Sequence, residues 1–201
     1  MFAFDAVVLA GGRSARLGGA PKALLRQGGE RLLDRAAAAT DGAAALIVVA
    51  PETTPVPAGA TLTREDPPFS GPLAGLAAGL DAPTRTSGWV LALACDIPGA
   101  VPAVAALLSR AEQLAENGEL ADADALLAQP AGDRPQPLLA LYRVAALQQE
   151  FARRAPADRS MWSVLDGLAW QPVPAPAGSG ADVDTPADAA ALGWRIEQEE
   201  Q

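Results

Sequence analysis

Histidine is absent from the 201 residues, and cysteine occurs once, as Cys95. Without histidine the chain lacks the usual proton shuttle at neutral pH and imidazole metal ligands, which excludes sites built on that residue. Carboxylates are left as the expected metal ligands, and they favour a hard ion such as Mg²⁺. A single cysteine excludes a disulfide framework and fits a reducing compartment.

Long apolar runs and a basic leader are lacking as well. No run reaches membrane-spanning length, and Asp5 interrupts the apolar stretch at the amino terminus. We therefore expect no signal peptide, no membrane association and a cytoplasmic location. The net charge of −9 argues against general nucleic-acid binding. The length suits a single domain over residues 1–201, with a sizeable core.

The stretch VVLAGGRSARLGGAPK, residues 7–22, joins an apolar run to glycine and positive charge. The run over residues 6–10 predicts a buried strand. Gly11 and Gly12 remove side chains where that strand ends, so a ligand can lie on the backbone. Bare backbone donors beside cations suit a polyphosphate. The cations of the following loop are Arg13, Arg16 and Lys22.

Two common phosphate motifs do not fit this stretch. Pro21 precedes Lys22 and Ala23 follows it, whereas a P-loop has Gly-Lys-Ser/Thr. The three glycines of the dinucleotide fingerprint do not occur at the required spacing. An ordinary glycine-rich turn with solvated arginines stays open as the alternative.

A helix is expected over residues 72–81, with Ser70 as its cap and Pro72 in its first turn. Gly75 and Gly79 lie four residues apart on one face of that helix. Two explanations are open for these glycines: close packing of the helix on the sheet, or a backbone held against a flat ligand such as a base.

Two acidic sites follow later in the chain. Asp96 comes after a predicted strand at residues 89–94, and α/β sheets bind ligands at the carboxyl ends of parallel strands. Asp96 could instead start a turn or cap the next helix. Thr185 is typical of a helix cap, which leaves Asp182 and Asp184 without a structural explanation.

Apolar strands alternate with helical periodicity along the whole chain, which predicts an α/β fold with a mostly parallel sheet. The predicted strands are 3–9, 46–50, 60–63, 89–94, 125–129 and 170–173, with an extended segment at 135–143. The predicted helices are 31–40, 72–81, 101–116, 144–154, 160–168 and 187–193.

The glycine-rich stretch resembles nucleotidyltransferases that begin Leu-Ala-Gly-Gly-x-Ser-x-Arg-Met-Gly, followed by x-Asp-Lys. The chain has Leu17 in place of Met and Pro21 in place of Asp. Gly-Pro-Leu-Ala-Gly at residues 71–75 resembles the molybdenum cofactor guanylyltransferase branch. Further matches occur in the order of the family, at 95–98, 138–142 and 184–186.

The resemblance implies a three-layer α/β/α Rossmann-like nucleotidyltransferase fold and the transfer of GMP from GTP to the phosphate of molybdopterin, with release of pyrophosphate. Asp66 would accept hydrogen bonds from guanine, and Mg²⁺ would bridge the triphosphate. Proteins that handle the molybdenum cofactor would be transient partners. The implied catalytic residues are Arg16, Lys22 and Asp96, and the implied metal ligands are Asp96 and Asp184. The implied nucleotide-binding residues are Leu9, Ala10, Gly11, Gly12, Arg13, Lys22, Asp66, Gly71, Gly75 and Asp96.

Two rival interpretations stay open. A cytidylyltransferase, or a guanylyltransferase with another phosphorylated acceptor, would share the first loop and Asp96. A nucleotide-binding regulator without turnover belongs to a different class, and Arg16, Lys22 and Asp96 argue against it. Pyrophosphate release from GTP with and without the acceptor separates the two classes.

Overall fold

The structure is a computed structural model that describes residues 1–12 and 21–195. Arg13 and Arg16, both expected at the phosphate site, lie outside the described residues. The strands are β1 (Asp5–Leu9), β2 (Arg26–Gln27), β3 (Glu30–Arg31), β4 (Leu46–Val49), β5 (Thr61–Thr63), β6 (Trp89–Ala94), β7 (Ala125–Pro130), β8 (Gln136–Arg143) and β9 (Trp170–Ala175). The α-helices are α1 (Leu32–Ala38), α2 (Pro72–Leu80), α3 (Ala100–Glu116), α4 (Val144–Arg153), α5 (Trp162–Leu165) and α6 (Pro186–Ala191).

Seven strands form one sheet in the order β5-β4-β1-β6-β8-β7-β9, and β2 pairs with β3 in a separate hairpin. Neighbouring strands from β5 to β6 are parallel, as are β7 and β9. β8 runs antiparallel to both of its neighbours. The prediction of a mostly parallel sheet is confirmed, with β8 as the reversed strand.

Helices cover both faces of the sheet. Val8 of β1 packs in a core with residues of α1 and α3, whereas its neighbour Val7 packs in a second core with residues of α2, α4 and α5. The two cores lie on opposite faces because successive side chains of a strand point in opposite directions. The result is the expected three-layer α/β/α architecture. Among the described residues no helix is both long and apolar enough to cross a bilayer.

The predicted N-cap is confirmed for α6 and is wrong for α2. Thr185 caps α6 as predicted: its Oγ1 accepts from Asp188 N at 3.2 Å, and Asp188 Oδ2 accepts from Thr185 N at 2.7 Å. The prediction for Ser70 is wrong, because Gly71 is the N-cap residue of α2. Ser70 Oγ instead donates to Pro67 O at 2.6 Å and closes the turn before the helix.

Two predicted bounds in the last third of the chain also need correction. The helix expected over residues 160–168 is reduced to α5, and Gly167, a poor helix former, donates to Val164 O three residues back. The strand expected over 170–173 continues to Ala175 as β9. Pro172 and Pro174 do not end the strand, because β9 lies at the edge of the sheet, where proline is tolerated.

Gly79 allows α2 to lie directly on β1. A Cβ atom at Gly79 would be 2.5 Å from Val7 Cγ1, inside any normal contact distance. We expect Gly79→Ala to lower the free energy of unfolding by about 1–3 kcal/mol, since overpacking outweighs a helix-propensity gain of about 1 kcal/mol. The matched control is Gly88→Ala, where a Cβ atom meets nothing within 4 Å. Urea unfolding checks both, and equal stability of Gly79→Ala and the wild type would contradict this packing.

Candidate active site

The carboxyl ends of β1, β4 and β6 open on a cavity of about 480 Å³. β1 lies between the other two strands and runs parallel to both, so all three end at the same edge of the sheet. The chain passes from β1 to β4 on one side and returns to β6 on the other. This edge is therefore a topological switch point, the place where open α/β sheets bind ligands.

Lys22 joins two carboxylates at this edge. Its Nζ atom donates to Asp96 Oδ2 at 2.9 Å and also to an oxygen of Asp184. The side chains of Lys22 and Asp96 are about one-fifth exposed, and that of Asp184 is more open to solvent. The ammonium and both carboxylates line the cavity. Three residues distant in sequence therefore form one charged cluster at its wall.

Short backbone segments hold the members of this cluster. Lys22 begins a single 3₁₀ turn, Lys22–Leu24, directly after Pro21. Asp96 follows β6, where Cys95 N donates to Leu9 O at 3.0 Å. Asp184 is the last residue before the capping box of α6. Asp96 thus follows the end of a strand, Lys22 begins a tight turn, and Asp184 directly precedes a helix cap.

The electrostatics of the cluster keep Lys22 charged. Burial disfavours the ammonium, but the hydrogen bonds to Asp184 and Asp96, together with their negative charge, outweigh that effect and hold the pKa of Lys22 above its usual value. The pKa of nearby Asp182 is raised, first by burial and then by the charges of Asp184 and Asp96. The carboxylates of Asp96, Asp182 and Asp184 therefore place negative charge around the ammonium of Lys22.

The protein ligands available to a metal ion are few. Within residues 1–12 and 21–195, no three acidic or cysteine side chains come together in a group that could hold one. Asp96 and Asp184 do approach a common cation, Lys22 Nζ, with hard oxygen atoms. A divalent ion placed there would need most of its oxygen ligands from water or a bound phosphate.

The family of the chain follows from comparison with known sequences. The family described as "MobA-like NTP transferase domain" matches residues 6–173, a range that includes Lys22, Asp96 and the carboxyl ends of the three strands at the cavity. The chain belongs to the MobA-like NTP transferases. A curated relative, the molybdenum cofactor guanylyltransferase of Acidiphilium cryptum (strain JF-5), is 35% identical over 169 residues, which are 75% of this chain and 81% of the relative.

Solved structures show how widely the MobA-like fold is shared. Molybdopterin-guanine dinucleotide biosynthesis protein A from Archaeoglobus fulgidus is 20% identical with a TM-score of 0.61, and the match covers 94% of this chain and 96% of that one. The 2-C-methyl-D-erythritol 4-phosphate cytidylyltransferase from Thermus thermophilus is also 20% identical, with a TM-score of 0.69 and coverage of 96% and 98%. The fold alone therefore does not separate guanylyl from cytidylyl transfer.

Most of the described residues that were predicted to bind nucleotide or metal lie at the cavity of this MobA-like chain. Ala10 is not at the wall; its N–H donates to Val49 O at 2.9 Å and continues the pairing of β1 with β4. Asp66 is exposed and is also not at the wall. The predicted residues that line the cavity are Leu9, Gly11, Gly12, Lys22, Gly71, Gly75, Asp96 and Asp184.

The two explanations offered for the glycines of α2 now separate. A Cβ atom at Gly79 would overlap Val7, so Gly79 is there for close packing. Gly75 also packs closely, because a Cβ atom there would lie 3.3 Å from Leu9 Cδ2, but Gly75 lines the cavity as well. Only Gly75 is thus placed to bring helix backbone near a ligand.

Glu65 and Phe69 are among the wall residues that were not predicted as site residues. Glu65 Oε1 accepts from Phe69 N at 2.9 Å. Phe69 is 43% exposed, has a φ of 67°, and lies under the Arg64 guanidinium at 5.3 Å from its ring centroid. The position of Phe69 in the sequence could have pointed to the site. Phe69 lies two residues before the Gly-Pro-Leu-Ala-Gly segment at 71–75 and is one of only four phenylalanines in the chain.

Proposed function

We propose that the chain transfers GMP from GTP to the phosphate of molybdopterin and releases pyrophosphate. The observation that carries the proposal is the cluster of Lys22, Asp96 and Asp184 at the cavity where β1 and β6 end. Glycine backbone at Gly11 and Gly12 borders the same cavity. Family membership and the 35% identical guanylyltransferase support the choice of reaction.

The reaction requires charge control more than covalent catalysis. An acceptor phosphate oxygen attacks the α-phosphorus of GTP, a new phosphorus–oxygen bond forms, and the bond to the bridging oxygen of pyrophosphate breaks. Both reacting groups are anionic, and further negative charge develops on the leaving pyrophosphate. Oriented positive groups at that position stabilise the transition state. We assign this task to Lys22 and, from the family resemblance, to Arg16.

We propose Mg²⁺ as the metal ion, held by Asp96 and Asp184. The donor set fits, because both carboxylates already face a common cation through hard oxygens. When bound, the ion would neutralise charge on the triphosphate. Since the part of the chain that the structure describes offers so few ligands, we expect the ion to arrive with the nucleotide. Lys22 would then exchange carboxylate partners for phosphate oxygens.

Guanine selection is assigned to the acidic pair that precedes α2. The resemblance points to Asp66, whereas the carboxylate at the cavity wall is that of Glu65. A carboxylate can accept from the two adjacent N–H groups of guanine, and cytosine and adenine cannot present the same pair. Comparing Glu65→Gln with Asp66→Asn in GTP binding decides which of the two reads the base.

We expect GTP to bind at least about tenfold more tightly than CTP or ATP, roughly 1.4 kcal/mol. A site that must satisfy a carboxylate rejects a base without the matching donors, because the carboxylate is left unpaired. Calorimetric titration of each nucleotide in the presence of Mg²⁺ measures the preference. Equal binding of CTP would contradict guanylyl transfer and favour the cytidylyltransferase interpretation that the fold allows.

We also infer that residues 1–201 act as one domain in the cytoplasm. The buried, unpaired Cys95 thiol is consistent with a reducing compartment. Proteins that handle the molybdenum cofactor would deliver the acceptor to the cavity and take up the product. Co-purification of a molybdopterin-carrying protein with the chain tests this inference, and recovery of the chain from an extracytoplasmic fraction would contradict it.

A further inference from the structure

A small apolar cluster lies apart from the two cores that cover the sheet. We call it the carboxy-terminal cluster. All of its members are nearly inaccessible to solvent, and Trp194 is by far the largest of them. Its members are Leu25, Leu32, Val183, Ala189 and Trp194.

The carboxy-terminal cluster is built from the segments that carry the charged site. Leu25 N donates to Lys22 O at 3.0 Å and so closes the turn that presents Lys22. Val183 directly precedes Asp184, and its N–H donates to Asp96 O at 2.9 Å. The cluster therefore lies next to all three charged residues in the chain, and it joins Leu25 of the lysine segment with Val183 of the carboxylate segments.

Backbone hydrogen bonds hold Trp194 in this cluster. Its N–H donates to Ala189 O at 2.7 Å, which folds the chain back after α6. The next residue, Arg195, exchanges two backbone hydrogen bonds of 2.8 Å with Arg26, at the edge of the β2–β3 hairpin. Gln27 Nε2 donates to Leu192 O at 2.8 Å nearby. The end of the described chain is thus tied to the segment that follows Lys22.

We propose that Trp194 is a positioning residue for the reaction: it fills the carboxy-terminal cluster and thereby holds Lys22 against Asp96 and Asp184. It is only 2% exposed and does not line the cavity, so it acts through other residues. Truncating Trp194 would leave a void that the few remaining side chains of the cluster are too small to fill. The stability lost in such a truncation depends on how well the surrounding site can collapse. The expected effect on turnover rests on the proposed function.

The direct test observes Lys22 without any turnover. In ¹⁵N-labelled protein, the ammonium of Lys22 is expected to give a protected NMR signal, assigned by its loss in Lys22→Met. We expect Trp194→Ala to lose that signal and Trp194→Phe to keep it. The same comparison with Trp194→Leu, a smaller truncation, covers the case in which Trp194→Ala does not fold.

The matched control is Trp89→Ala. Trp89 is also buried, at 8% exposure, but it begins β6 and so lies at the opposite end of that strand from Asp96. We expect Trp89→Ala to lose stability and keep the Lys22 signal. If Trp89→Ala loses the signal as well, or if folded Trp194→Ala and Trp194→Leu keep it, the positioning role is wrong.

Kinetics add a second readout. We expect Trp194→Ala to lower kcat at least about tenfold, since a misplacement of about 1 Å can cost as much as 10²-fold, and to change the KM for GTP much less. If the NMR signals follow the prediction but the wild type transfers no GMP, the proposed function fails and the positioning role stands. A fall in kcat no larger than that of Trp89→Ala would overturn the role in catalysis.

Discussion

Asp96→Asn is expected to reduce turnover by on the order of 10²–10³-fold or more, the cost of removing one oriented electrostatic group from such a site. Asp96 stands at the carboxyl end of β6 with Oδ2 2.9 Å from Lys22 Nζ. The amide keeps the shape of the carboxylate but removes the negative charge that the metal ion and Lys22 both use. The rate is measured as pyrophosphate release against Mg²⁺ concentration.

The matched variant Asp184→Asn should do less harm, because an amide oxygen can still ligate an ion or orient a water molecule. Stability provides the control. Asp96→Asn still leaves Lys22 paired with Asp184, and the amide oxygen at position 96 can still accept a hydrogen bond from Lys22. Urea unfolding should therefore be nearly unchanged. A near-wild-type rate and Mg²⁺ dependence for Asp96→Asn would overturn the metal site and the mechanism built on it.

Lys22→Ala is expected to lower turnover by about a hundredfold or more, as the loss of one donor to a transition state does. The fold should survive, since Lys22 lies in a short turn at the surface of the cavity and its removal opens no core. The raised pKa of Lys22 keeps its ammonium protonated, so the rate should show no fall from its deprotonation as the pH rises through neutrality. Near-normal activity of the purified variant would contradict the role in phosphate binding.

Lys22 should also lower the affinity of the nucleotide-free protein for a metal ion. In Lys22→Met the two carboxylates lose their common cation and repel each other, so the nucleotide-free protein should bind Mn²⁺ several-fold more tightly, by the usual size of such charge effects. The matched control is Arg110→Met, which removes one positive charge from α3, where Arg110 contacts Gln171 of β9. Electron paramagnetic resonance of free Mn²⁺ measures both. Unchanged Mn²⁺ affinity in Lys22→Met would contradict the exchange of partners.

Much of the fold could be predicted because strands and helices have different apolar periods. The run of apolar residues over 89–94 has the bounds of β6, and the Thr185–Asp188 pair marks the start of α6. The reversed direction of β8 could not be predicted from periodicity, which is the same for both directions. The extension of β9 past Pro172 and Pro174 depends on its being an edge strand, which is a property of the assembled sheet.

The residues of the charged cluster at the candidate site could be predicted from the sequence, but their arrangement could not. Lys22, Asp96 and Asp184 each followed from a local motif that the resemblance made specific. Their meeting depends on strand order and on how α6 packs, so no local pattern could reveal it. The choice between Glu65 and Asp66 depends on backbone direction at a single position, which composition and spacing do not encode.

The carboxy-terminal cluster could not be predicted from the sequence either. Trp194 follows the last helix near the carboxyl terminus, and no periodicity connects it with Leu25 or Val183. The cluster exists only because the β2–β3 hairpin and the segment after α6 meet at Arg26 and Arg195. Long-range contacts of this kind are set by the whole fold.

The central claim is that the chain joins GMP to molybdopterin. The most direct measurement uses GTP labelled with ³²P at the α-phosphorus, Mg²⁺ and molybdopterin carrying molybdenum, with Asp96→Asn as the blank and α-labelled CTP as the competing donor. We predict that label from GTP appears in the pterin product, with one pyrophosphate released for each label transferred, and that CTP labels the product at most weakly. Label that stays in GTP while CTP labels the acceptor, or no transfer from either nucleotide, would contradict it.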